Sequence, residues 1–161
     1  MGSKIEQGEG GPEIMSTTQV DLITGKAAYT VLDNHQFIIL WQTLYKECPH
    51  ATAFQAPNFV RIWYETYRNQ WQPVVIQAQN LDGNLIGLWM LAHNPKTGVI
   101  TNVGAHQAEY HTWLALPNKD ISFLSSAWAI LTQHFTFEAL RFKYLPATSL
   151  GGMLQIALGA K

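Results

Sequence analysis

Two apolar runs flank a short polar break between Pro73 and His93, and they set the pattern of the chain. The first, Pro73-Val-Val-Ile-Gln-Ala-Gln79, alternates, with Val74, Ile76 and Ala78 on one face and Val75, Gln77 and Gln79 on the other. The second, Leu85-Ile-Gly-Leu-Trp-Met-Leu91, is apolar on both faces, with Leu85, Trp89 and Leu91 opposite Ile86, Leu88 and Met90. The break, Leu81-Asp82-Gly83-Asn84, holds an Asp-Gly pair, which tolerates the positive φ of a hairpin turn. A strand that is apolar on both faces is covered on both faces. The pattern predicts a central hairpin with helices packed over it.

The remaining elements follow in order. Ala28-Tyr29-Thr30-Val31-Leu32 is β-prone and predicts a first strand. Asp33-Asn34 offers a helix cap, and Phe37, Leu40, Trp41 and Leu44 repeat at helical spacing until Cys48-Pro49 stops them. Pro57 is placed to open a second helix, with Phe59, Ile62, Trp63 and Tyr67 on its apolar face. After the hairpin come a turn over residues 94–98, a strand over Val99–Val103, a polar segment over Ala105–His111 and a short apolar run over Thr112–Leu116. A third helix is predicted over Asp120–His134, with Ile121, Leu124, Trp128 and Leu131 as its stripe. A strand over Phe137–Tyr144 and a last helix from Ser149 complete the list. Strands mixed with helices, and neither repeat nor linker, predict one α/β or α+β domain.

Composition narrows the partners. Of 161 residues, 47% are apolar and only 13% charged, with a net charge of −1. Average chains carry about 25% charge, so this surface is neutral and polar or covered by a partner. The balance gives no general pull toward nucleic acid or an anionic membrane, and no apolar run is long enough to span a bilayer. Residues 1–14 are rich in Gly and Glu and precede a second Met, Met15, so they read as a disordered leader from an expression vector. The single cysteine, Cys48, excludes an intramolecular disulfide and fits a reducing, cytoplasmic compartment. It reads as a loop or core thiol rather than a nucleophile. His93, His106 and His111 match no metal-ligand spacing, so no metal site is expected. Trp63, Trp89 and Trp128 read as packing residues.

Three segments together resemble the N-terminal half of a tandem GNAT-type acyltransferase, of the cellulose-biosynthesis-associated branch related to Fem-type aminoacyl transferases. They are Thr52-Ala-Phe-Gln-Ala-Pro57-Asn-Phe-Val-Arg-Ile-Trp63, the hairpin with Gly83 and Gly87, and Gly104-Ala-His-Gln-Ala-Glu-Tyr-His-Thr-Trp-Leu-Ala-Leu116. Leu145-Pro146-Ala147 also fits, and the likeness runs from about residue 35 to 150. It implies a GNAT-like, mainly antiparallel sheet with helices on both faces, incomplete at the C-terminus because one or two further strands would follow the last helix. It also implies acyl transfer, with an acetyl or other acyl group passing from an acyl-coenzyme A to an amine or hydroxyl of a small-molecule or glycan-related acceptor. In that scheme Glu109 or His111 is the base and Tyr110 protonates the leaving thiolate. Arg141 and Lys143 attract the coenzyme, although such residues also simply keep a strand face soluble. The sequence departs from the family at Ala56, where a Ser is usual, and in having no Gly between Ala105 and Asp120, where the family's pyrophosphate loop lies. The expectation is therefore a half that shapes the acceptor site, beside a second GNAT-like domain or a homo-oligomer partner that holds acetyl-CoA. The alternative is a non-catalytic binding or dimerisation module on a degenerate GNAT fold.

Overall fold

The computed structural model describes residues 18–143, 145 and 148–159. The proposed leader, and Tyr144, Pro146 and Ala147 at the end of the last strand, lie outside them. Six strands form one sheet between two layers of helices. The strands are β1 (Gln19–Thr24), β2 (Gln72–Gln79), β3 (Leu85–Asn94), β4 (Val99–Asn102), β5 (Leu114–Ala115) and β6 (Ala139–Arg141). The helices are α1 (Gly25–Leu32), α2 (His35–Glu47), α3 (Pro57–Thr66), α4 (Asp120–His134) and α5 (Thr148–Ala157). The sheet order is β1-β2-β3-β4-β6, with β5 beside β3. All pairs are antiparallel except β4 with β6. This mixed, mostly antiparallel sheet is compatible with a GNAT-like α/β fold. Among the described residues no helix is long and apolar enough to cross a membrane.

The hairpin forms where the alternation places it, and its turn is built by Asn80 and Gly83. Asn80 Oδ1 accepts from the N–H groups of Asp82 and Asn84, and Gly83 takes the positive φ of 79° that a Cβ disfavours. One detail differs from simple alternation. The register slips between Ala78 and Gln79, so that Gln79 faces Leu85 while Ala78 faces Gly87. Ile86 is the extra residue of a bulge, which turns Leu85 to the face of Leu88 and Met90 instead of that of Trp89.

One face of the sheet packs under α1, α2 and α3 through Ala28, Leu32, Phe37, Trp41, Leu44, Val60, Trp63 and Tyr64. The other packs under α4 and α5 through Phe123, Leu124, Ala127, Leu131, Leu154 and Ala157. Asn34 caps α2 by accepting from the Phe37 N–H, and Pro57 opens α3, as the sequence predicts. Ala56 caps α3 without a side-chain bond. The sequence places α4 correctly from end to end.

Three sequence expectations are corrected. Residues 28–32 are helix, not strand. The first strand lies earlier, and Gly25, at φ 62°, turns the chain into a helix whose Ala28 and Leu32, four residues apart, both face the sheet. In α3 the buried stripe is Pro57, Val60, Trp63 and Tyr64, while Ile62 is 66% exposed. In α4 the stripe turns toward Phe123 and Ala127, leaving Ile121 exposed and Trp128 partly covered. Gly87 accounts for that last shift. A Cβ there would run into the Phe123 ring, so the glycine makes the hollow in β3 that Phe123 fills.

Candidate functional site

β4 and β6 run side by side, with Val99, Ile100 and Thr101 opposite Ala139, Leu140 and Arg141. They are joined by the crossover through α4, whereas β2, β3 and β4 follow one another through tight turns. Between β4 and β5 the chain leaves the sheet as a loop over Gly104–His111 and returns to pair with β3. Gly104 starts the loop at φ 94°, packed so closely on Ala108 and Phe59 that a Cβ would clash. Trp63 Nε1 donates to Gln107 Oε1 at 3.0 Å, which ties the loop to α3.

A cleft of about 550 Å³ opens where this loop meets the β4–β6 pair. Its floor includes Val99, Thr101 and Ala139. Its rim carries Arg141 and Lys143 on the β6 side, His106 and His111 on the loop, and Trp71, Asn94 and Glu138 at the far end. Lys143 Nζ lies 2.9 Å from His106 Nδ1. Thr101 Oγ1 donates to the Arg141 carbonyl at 2.8 Å, pinning β6 to β4. Two cationic side chains and one carboxylate line it, so the cleft suits a polar molecule carrying an anionic or acceptor group. Its apolar floor covers the rest.

Of the residues that the sequence singles out, Arg141, Lys143 and His111 meet in this cleft. His111 is 1% exposed, and both ring nitrogens are engaged by main chain. The Lys143 N–H donates to Nδ1 at 2.9 Å, and Nε2–H donates to the Ala105 carbonyl at 2.9 Å. Burial lowers its pKa, with smaller contributions from the charges of Lys143 and His106, while the Ala105 carbonyl opposes the shift. A neutral ring with its one free lone pair already accepting an N–H holds the loop to β6. It has no nitrogen left for a substrate proton.

Glu109 and Tyr110 are not on the cleft wall. Both side chains are exposed. Tyr110 lies 6.4 Å, ring to ring, from Phe54, and its carbonyl accepts from Gln55 Nε2 at 3.4 Å. His93 packs against Phe135 with ring centroids 5.0 Å apart, away from His106 and His111. Among the described residues no three His, Cys, Asp or Glu side chains converge on a metal position.

Sequence reading missed Trp71, Asn94, Thr101 and Glu138. The antiparallel β2–β3–β4 pairing brings Trp71, Asn94 and Thr101 to one side, and the parallel pairing of β4 with β6, which no local pattern encodes, adds Glu138. One trace exists, in Gly98. A Cβ there would press on Glu138 Cγ, and its carbonyl accepts from the Glu138 N–H at 2.9 Å.

The N-terminus of α4 is the place where the resemblance would seat a pyrophosphate, and it is already filled. Asp120, in its first turn, is 7% exposed and accepts from Trp113 Nε1 at 2.6 Å and from His50 Nε2 at 2.7 Å. No side-chain bond caps the helix, but a buried carboxylate in its first turn already takes up the positive end of the helix dipole and the space a phosphate would need. This end of α4 does not fit a coenzyme phosphate. No protein-family model matches the chain, and neither a curated protein nor a solved structure matches it.

Proposed function

We propose that the chain is a GNAT-like acyltransferase domain whose cleft holds the acceptor, an amine or hydroxyl on a small, glycan-like molecule. A second domain or a partner supplies the acyl thioester. The observation that carries this reading is the cleft on the parallel β4–β6 pair, where the connectivity of the sheet changes from hairpin to crossover. Strand ends at such a change of connectivity leave a crevice that neighbouring elements do not cover. Trp71 gives an apolar wall for a sugar-like ring, and Asn94 and Arg141 give polar groups along it. Glu138 is the carboxylate on this wall that takes the proton from the acceptor as it attacks.

A second reading, a non-catalytic binding module on the same fold, is favoured by Asp120, which fills the helix end that a coenzyme would need. One experiment separates the two. Glucosamine serves as an amine-bearing sugar, and the acetyl thioester of N-acetylcysteamine as a donor that needs no phosphate cradle. Acetyl transfer that disappears in Glu138→Gln supports the transferase. Amide shifts at Thr101, Glu138 and Arg141 on adding glucosamine, without transfer, support the binding module. Neither shifts nor transfer would remove the cleft as an acceptor site.

A further inference from the structure

Away from the cleft, three side chains that the sequence keeps far apart are joined in a row. Cys48 ends α2, His50 follows in the connection to α3, and Asp120 opens α4. Cys48 Sγ lies 3.6 Å from His50 Nδ1, and His50 Nε2 lies 2.7 Å from Asp120 Oδ1. Asp120 is itself held by Trp113 Nε1 at 2.6 Å, and Thr112 Oγ1 lies 3.4 Å from His50 Nδ1. The Trp113 ring meets the His50 ring edge-on at 5.5 Å. This is the arrangement of a nucleophile, a base within reach of it, and a third group that orients the base.

The charges agree with the geometry. Burial alone would raise the Cys48 thiol, but the His50 ring and the Ala115 N–H outweigh it and lower the pKa. Burial alone would lower His50, yet the bonds to Asp120 and Cys48 raise it to about 9. Burial opposes ionisation of Asp120 as well, but His50 and Trp113 hold its pKa below the ordinary value. Among the described residues, the charged groups facing His50 are Cys48 and Asp120.

Among the described residues, none of the larger clefts is lined by Cys48 or His50. Cys48 is 5% exposed, and the side chain of His50 is 13% exposed. A polypeptide or sugar ester cannot enter, which excludes an acyl-enzyme role. A molecule of two heavy atoms is another matter.

We infer that Cys48 is an oxidation site, a thiolate held by His50 and Asp120 that reacts with hydrogen peroxide. The thiolate attacks the distal peroxide oxygen, forming the S–O bond as the O–O bond breaks. Sulfur is oxidised to sulfenic acid and the peroxide oxygen is reduced. The departing hydroxide takes the Nδ1 proton of the His50 imidazolium and leaves as water. With one cysteine in the chain, no second thiol can close a disulfide, so the sulfenic acid lasts until a small external thiol reduces it. This inference is independent of the acceptor cleft.

The test gives the full chain a pulse of hydrogen peroxide at pH 7, stops it with catalase, then unfolds the chain in urea with dimedone to trap sulfenic acid, with intact mass as the readout. The expected result is one adduct per chain, none in Cys48→Ser, and a rate about tenfold or more above that of the same chain unfolded in urea, as befits a thiol with a lowered pKa. His50→Gln should bring the rate down to that of the unfolded chain while circular dichroism keeps the folded spectrum. A folded-state rate at or below that of the unfolded chain overturns the inference, as does an unchanged rate in His50→Gln. If His50→Gln does not fold, thiolate absorbance of the wild type against pH decides. A midpoint below that of the urea-unfolded chain upholds the thiolate, and one at or above it rejects it.

Discussion

Trp89 is fully buried, stacks on Phe142 with centroids 5.6 Å apart, and donates to Asn102 Oδ1 at 3.1 Å. Trp89→Ala therefore removes a large ring and strands a buried acceptor. Urea melts should show a loss of about 3–5 kcal/mol, and a loss under about 1 kcal/mol would contradict its place in the core. His50 and Cys48 make a less obvious prediction. His50 has a raised pKa in the folded chain, so its contribution is fully present below its ordinary 6.5 and is lost as pH rises through about 9. Cys48 has a lowered pKa, so its contribution is present above its ordinary 9.0 and is lost as pH falls through the folded value. Below pH 9, where the Cys48 slope overlaps that of His50, the two oppose each other. Wild-type stability should therefore change less with pH than that of a chain that keeps only the His50 slope. Cys48→Ser unmasks the His50 slope, and stability should then fall steadily as pH rises. Urea melts at a series of pH values check this, and a flat profile in the variant would refute it. The sequence shows Cys48 and His50 as near neighbours, but Asp120 lies seventy positions away, so only the fold makes the row visible.

At the scale of elements, what was legible in the sequence was local. The Asn34 cap, Pro57, the Asn80–Asn84 turn and the ends of α4 each depend on residues within a few positions of one another. What was not legible depends on distant packing. The β-branched and aromatic residues at 29–31 favour a strand, yet Ala28 and Leu32 bury against the sheet as helix, because burial outweighs propensity. The bulge at Ile86 leaves no mark in the alternation. The stripe of α4 follows the hollow at Gly87 rather than the strongest helical repeat. Gly87→Ala should accordingly destabilise by about 1–3 kcal/mol, the usual range for overpacking a core. In a Phe123→Ala background the same change should cost little, since the obstructing ring is gone. A double-mutant cycle measures the coupling, and equal costs in the two backgrounds would mean that Phe123 does not occupy the hollow.

For the whole molecule, the general architecture of an apolar hairpin between helical layers was readable from the two-faced second run. The candidate site was readable only in part. Arg141, Lys143 and His111 were singled out, but Glu138 meets Trp71 and Thr101 only through a strand pairing that spans forty residues. The filled N-terminus of α4 leads to a prediction about the intact chain. Acetyl-coenzyme A should bind with a dissociation constant in the millimolar range or weaker, roughly −4 kcal/mol, by isothermal titration. A micromolar constant would mean that some other set of N–H groups cradles the phosphates. The lone parallel pair also dictates an order of events. β2 and β3 meet across a five-residue turn, whereas β6 reaches β4 only after α4 has crossed the sheet, at a much larger entropic cost of closing the chain. The hairpin can form early, and β6 docks late. In native-state hydrogen exchange the amides of β2 and β3 should open only with global unfolding, while those of β6 open through a smaller, separate event. The cleft is thus the last part of the molecule to be assembled and the first to come apart, and whatever fills it acts as a clasp on the final strand.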